Sequence, residues 1–139
     1  MPLAKKSLVI IPAFNEGKVI GTVIKQAKIK FSKLHFAVDF LVVDDGSSDN
    51  TVAQASKHGA TVISHILNSG AGSATRTGLS YARLNGYDIA ITMDADGQHL
   101  SEDALKGVKF LMDNKLDLAV GSRLINPAGM SKTKQIGNK

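Results

Sequence analysis

Phe40-Leu41-Val42-Val43-Asp44-Asp45-Gly46-Ser47-Ser48-Asp49 passes from a run of four apolar residues straight into carboxylates, glycine and hydroxyls. An apolar run without alternation reads as a strand buried on both faces. The Asp-Gly-Ser-Ser-Asp after it is turn chemistry, because Asp and Ser side chains bond nearby backbone and Gly accepts a tight bend. The same order recurs along the chain. Leu8-Val9-Ile10-Ile11, ended by Pro12, leads into Ala13-Phe14-Asn15-Glu16. Thr61–Ser64 precedes Asn68-Ser69-Gly70-Ala71-Gly72, and Ile89–Thr92 precedes Met93-Asp94-Ala95-Asp96-Gly97-Gln98-His99. Leu118-Ala119-Val120 precedes Gly121-Ser122-Arg123.

Helical periods separate these runs. From Glu16 to about Lys30, residues Val19, Ile20, Val23, Ile24 and Ala27 share one face, with Asn15 as N-cap. Asp49 or Asn50 caps a second helix that reaches about His58 and is closed by Gly59. A third spans Ser73 to Asn85 and is closed by Gly86; a fourth runs from Ser101 through about Asn114. Five strands alternating with four helices predict an α/β domain, an open and largely parallel sheet with helices on both faces. It should occupy residues 1–125, with 126–139 a polar, flexible C-terminal segment.

Composition narrows the function classes. With 139 residues, 43% of them hydrophobic, the chain suits one domain with a real core. It has no cysteine, so disulfides and thiolate metal sites are excluded. The formal charge of +5 suits a solvated lysine surface, or attraction to phosphates or an anionic membrane. Only 7 aromatics, 5 Phe and 2 Tyr, stand apart from the basic residues, which argues against nucleic acid. No apolar run approaches the about 20 residues of a membrane span, and none suits a signal peptide. A cytoplasmic location is the expectation.

In open parallel sheets, ligands bind beyond the carboxyl ends of the strands. All five polar clusters fall there. Glu16, Asp44, Asp45, Asp94 and Asp96 would then share one edge, and such crowding needs a compensating charge. A Mg²⁺ or Mn²⁺ ion suits carboxylate oxygens and can hold a diphosphate in turn. Asp94 and Asp96 alternate onto one side, so one can reach the metal and the other the sugar or ribose. His99 is a further possible ligand, Arg123 suits a phosphate contact, and His35, His58 and His65 lack ligand-like spacing. Gly70-x-Gly72-x-x-Thr75 partly matches a dinucleotide fingerprint, but it lacks the third glycine and follows the third strand rather than the first.

Taken together, the five clusters over residues 7 to 123 resemble the family 2 glycosyltransferases of the GT-A fold. The Asp-Ala-Asp-Gly-Gln-His form is most similar to the polyprenyl-phosphate transferases, the group of dolichyl-phosphate mannose synthase. That resemblance implies a nucleotide pocket built from Pro12, Ala13, Phe14 and Glu16, with Val43 and Asp45 at the base. It implies Asp94, Ala95 and Asp96 at ribose and diphosphate, and Arg123 at donor phosphates or sugar. Asp94 and Asp96 would carry the chemistry, and Asp96 with Gln98 would ligate Mg²⁺ or Mn²⁺. A GDP- or UDP-linked sugar is the implied donor, a lipid phosphate the implied acceptor, and the cytoplasmic membrane face the implied place. Relatives continue further, so the chain is expected to hold the donor half, either transferring sugar or only binding its nucleotide. A nucleotidyltransferase or NAD-binding protein is the alternative.

Overall fold

A computed structural model describes residues 5–96 and 101–120. The chain divides into two compact units, residues 1–105 and 106–139. In the first unit a strand β1 (Lys6–Ala13) is followed by α1 (Ile20–Phe31), β2 (Ala37–Asp44), α2 (Thr51–Lys57), β3 (Thr61–Ser64), α3 (Ala71–Leu84) and β4 (Ile89–Thr92). A last helix α4 (Ser101–Asp113) starts in the first unit and ends in the second.

All pairings are parallel, in the order β3-β2-β1-β4. The chain steps outward from β1 to β2 to β3, then returns to the other side of β1 to lay down β4. That return is a topological switch point, where ligands of open α/β sheets bind.

β1 is central because its side chains are apolar on both faces. Leu8, Val9, Ile10 and Ile11 are each no more than 1% exposed. Leu8 and Ile10 join Leu41 and Val43 beneath Ala74 and Ala82 of α3. On the alternate positions, Phe40 meets Phe31 of α1 edge to face, with ring centroids 6.3 Å apart. α1 packs on α2, which in turn lies against β2 and β3. Burial of each large aliphatic side chain is worth about 1.5–3 kcal/mol, so this double-sided core is what holds the sheet.

Helix ends follow glycine chemistry. After α2, Gly59 (φ 83°) donates to the Ser56 carbonyl and Ala60 to Ala55; after α3, Gly86 (φ 69°) donates to Arg83 and Tyr87 to Ala82. Both are Schellman closures, as the two glycines predict. In the second unit, Lys115 takes the same left-handed position at φ 51°.

Three expectations are corrected. Pro12 does not end β1, which runs on to Ala13. Asn15 does not cap α1: it lies at φ 52°, and the helix begins only at Ile20. Leu118-Ala119-Val120 forms no strand, and Leu118 and Val120 are 75% and 80% exposed. Among the described residues no strand pairs with it, and an extended run without a ladder partner is not a strand. The segment 126–139 and the boundary at residue 125 lie outside the described residues. Among the described residues, no helix is long and apolar enough to cross a membrane.

α3 approaches β1 so closely that a Cβ on Gly78 would stand 2.3 Å from Ile10 Cγ2, whereas one on Gly72 would meet nothing within 4 Å. Gly78→Ala should therefore destabilise. Overpacking costs roughly 1–3 kcal/mol, more than the about 1 kcal/mol that helix propensity returns. Gly72→Ala on the same helix should be neutral or stabilising. Urea unfolding of both variants checks the contrast, and equal effects would refute the packing account.

Candidate functional site

β4 pairs with β1 only from Ser7 to Ile10, whereas β2 accompanies β1 to Ala13. The last bond on the β4 side runs from Met93 N–H to the Ile10 carbonyl, at 2.9 Å. Beyond it the two chains part. Successive residues of a strand point their backbone groups to opposite neighbours, so Pro12 faces the side that β4 has left. Its missing N–H therefore costs no ladder bond, which explains a proline inside a central strand. The split leaves a crevice with Phe14 and Glu16 on one wall and Asp94, Ala95 and Asp96 on the other.

Within this crevice the side chains differ in exposure. Phe14 is 45% exposed, Ala13 and Ala95 are buried, Pro12, Glu16 and Asp94 are partly buried, and Asp96 is exposed. Glu16 titrates above the ordinary carboxylate range, first because burial disfavours its charge and then because Asp96 and Asp49 repel it. Glu16 and Asp96 therefore feel each other across the split. Carboxylate oxygens such as those of Glu16, Asp94 and Asp96 are the hard donors that Mg²⁺ and Mn²⁺ take. Among the described residues, no three His, Asp or Glu side chains form a ready-made metal cage. Gln98, His99 and Arg123 lie outside the described residues.

The loop after β2 braces the crevice. Ser48 N–H donates to Asn15 Oδ1 at 2.9 Å, and Asn15 N–H donates to Ser47 Oγ at 2.8 Å. Glu16 N–H donates to Thr51 Oγ1 at 2.9 Å, and Gly17 N–H to Asp49 Oδ2 at 2.9 Å. The Thr51 hydroxyl donates in turn to Asp49 Oδ1. These bonds explain the late start of α1: residues 15–17 are committed to the neighbouring loop. Asp49 titrates below its ordinary range, chiefly through the Thr51 hydroxyl.

Asp44 and Asp45 are each 3% exposed, and Val43 is fully buried in the core facing α3. Asp44 accepts from Ser47 N–H at 3.2 Å. Both oxygens of Asp45 are engaged: Oδ1 by Ser69 N–H at 2.9 Å and His65 Nδ1 at 2.7 Å, and Oδ2 by Gly70 N–H at 2.7 Å. Burial alone would raise the Asp45 pKa, but the Ser69, His65 and Gly70 hydrogen bonds outweigh it and hold the carboxyl below its ordinary range. His65, passed over in the sequence for want of ligand spacing, is thus tied to a motif residue. Its one legible signal was its place directly after β3.

A separate hollow of about 550 Å³ lies at the amino ends of β2 and β3, lined by Lys28, Phe31, Phe36, Val38 and Thr61 among others. It belongs to the opposite edge of the sheet and shares no residue with the crevice.

Comparison with known proteins identifies the arrangement. Residues 8–137 match the model of glycosyl transferase family 2. The UDP-N-acetylglucosamine–dolichyl-phosphate N-acetylglucosaminyltransferase of Methanococcus voltae is 37% identical over 149 residues, covering 93% of this chain and 57% of that protein. A polyprenol monophosphomannose synthase of Mycolicibacterium smegmatis is 33% identical over 131 residues, covering 90% of this chain and 47% of that one. Glucosyl-3-phosphoglycerate synthase from Mycobacterium tuberculosis, solved with Mn²⁺, uridine diphosphate and glucosyl-3-phosphoglycerate, superposes with a TM-score of 0.59 at 26% identity, covering 83% of this chain and 40% of that one. The chain spans about half the length of the curated relatives it matches.

The raised Glu16 makes a signed prediction. Folding increases its hold on a proton, so its contribution to stability is complete below its ordinary range and is lost as pH rises through its folded value. At pH 7 without metal, Glu16→Gln should melt above the parent, by a margin within about 1 kcal/mol for a partly exposed charge. The gap should close at pH values where Glu16 is protonated in both states. A variant no more stable than its parent at pH 7 would argue against charge crowding in the crevice.

Proposed function

The chain belongs to glycosyl transferase family 2, and on that premise we propose that it binds a GDP- or UDP-linked sugar in the crevice and passes the sugar, with inversion, to a polyprenyl phosphate. The observation that carries this reading is the placement of Glu16 after β1 and of Asp94 and Asp96 after β4, carboxylates brought to one edge of the sheet where the two strands part. The similarity to a dolichyl-phosphate transferase and to a polyprenol monophosphomannose synthase supports the lipid acceptor. A structural neighbour solved with Mn²⁺ and uridine diphosphate supports the donor class and the metal.

In this reading the exposed Phe14 ring offers a face to the base, and Pro12, Ala13 and Glu16 form the adjoining wall. Val43 and Asp45 lie at the base end. The Asp45 oxygens are already engaged, so it acts on the base through the backbone it holds. Asp94 and Ala95 meet the ribose and diphosphate, and Arg123 the donor phosphates or sugar. Asp96 and Gln98 would hold Mg²⁺ or Mn²⁺. A divalent cation there supplies compensation for charge on the departing diphosphate.

Sugar transfer then needs little proton chemistry from the protein. An oxygen of the lipid phosphate, already ionised near neutral pH, forms its bond to the anomeric carbon from the face opposite the diphosphate. The bond to the diphosphate oxygen breaks and its electron pair leaves with that oxygen. Asp94 and Asp96 act by orienting the donor for this in-line attack. We place the reaction at the cytoplasmic membrane face, with peripheral association through basic residues.

Calorimetry with UDP and GDP, with and without Mn²⁺, tests the donor site. Asp96→Asn should weaken nucleotide affinity in Mn²⁺ by about 10–100-fold and leave the metal-free affinity nearly unchanged. No binding of either nucleotide by the parent chain would end the donor-site reading. Transfer of radiolabelled sugar to a polyprenyl phosphate tests the acceptor.

A further inference from the structure

We propose that His65 is a positioning residue of the donor site: it orients the Asp45 carboxylate, which in turn fixes the Ser69–Gly70 turn after β3, on the same carboxyl edge of the sheet. The inference rests on the donor reading above and adds to it a residue outside the five motifs.

The geometry is a chain of three contacts. His65 Nδ1 lies 2.7 Å from Asp45 Oδ1, and His65 Nε2 lies 2.9 Å from Thr77 Oγ1 on α3. An ionised carboxylate only accepts, so a proton is assigned to Nδ1, which donates to Asp45, while Nε2 pairs with the Thr77 hydroxyl. The imidazole is thus held at both ends, with its side chain 17% exposed. Asp45, fixed from that side, receives the Ser69 and Gly70 N–H groups.

What Asp45 holds is an unusual piece of backbone. Gly70 sits at φ 93°, ψ 157°, a region open almost only to glycine, and directly precedes α3. A Cβ on Gly70 would meet nothing within 4 Å, so the glycine is required by backbone conformation and not by space. The turn also packs against the loop after β2: a Cβ on Gly46 would come within 3.0 Å of Asn68 N. Two glycine-dependent loops therefore meet over one buried carboxylate, with His65 behind it. Outer partners of this kind set the orientation of groups that meet a ligand, and their loss reaches the site without touching the ligand.

The test uses the 139-residue chain, with His65→Ala, His65→Asn and Thr77→Val. Asparagine can still donate an N–H to Asp45; alanine cannot. Amide hydrogen exchange without nucleotide reads the turn, and calorimetry with UDP and GDP in Mn²⁺ reads the donor site. In His65→Ala the Ser69 and Gly70 amides should exchange at least about 10-fold faster and nucleotide affinity should fall about 10-fold, while amides of β1 and β2 keep their protection. His65→Asn should restore both, and Thr77→Val should show a smaller loss of the same two readouts. Unchanged exchange at Ser69 and Gly70 in His65→Ala overturns the proposal. If His65→Ala does not fold, the asparagine variant decides: parental protection and affinity support the role, and loss of both overturns it. A parent chain that binds neither nucleotide overturns the donor reading, whereas binding with an unaffected turn overturns this inference alone.

Discussion

Everything at the carboxyl edge depends on one asymmetry of β1. This central strand has two neighbours, and they do not end together. β2 follows it to Ala13, whereas β4 leaves after Ile10. A buried backbone group must find a partner, so the divergence has to fall where the chain can afford it. Pro12 stands at that point and has no N–H to leave unsatisfied. The crevice is thus a consequence of strand order and strand length, made tolerable by one proline. A ligand site there would need no special fold of its own, because the sheet already brings the loops after β1 and β4 to one edge.

Most of the polar residues of the second motif act on the chain's own backbone. Asp49 and Thr51 receive N–H groups from residues 16 and 17, Ser47 and Ser48 engage Asn15, and Asp45 receives the N–H groups of Ser69 and Gly70. The loop after β2 therefore links the loops after β1 and β3. This cross-bracing gives rigidity to three segments that have no ladder of their own, and a site on braced loops holds a ligand with less ordering cost.

Much of this was legible in the sequence for physical reasons. Unbroken apolar runs at Leu8–Ile11 and Phe40–Val43 have few ways to be buried except inside a parallel sheet, and Gly59 and Gly86 closed their helices as read. The failures also have causes. Asn15 is a good cap by residue type, but the nearby serines recruited it into a left-handed turn, an interaction between segments more than thirty residues apart. Pro12 is a strand stop only when both neighbours are present, which depends on the length of β4. Leu118–Val120 has the apolar composition of a strand but no ladder partner among the described residues, and a partner is not visible in local composition. His65 was missed because metal-ligand spacing was the filter, whereas its partners, Asp45 and Thr77, lie on two different elements and become neighbours only on folding.

The carboxylates of the edge sort themselves by what surrounds them. Asp45 and Asp49 are pulled below the ordinary range by hydrogen bonds from N–H and hydroxyl donors, so their charge is satisfied inside the protein. Glu16 is pushed above it by burial, by Asp96 and by Asp49. Acidic residues that looked equivalent in the sequence are thus told apart by their surroundings: Asp45 and Asp49 hold loops, whereas Glu16 is partly buried near two other carboxylates. Part of the negative charge on this edge is therefore engaged by the chain's own N–H and hydroxyl groups, which lets several carboxylates stand close together while they tie one loop to the next.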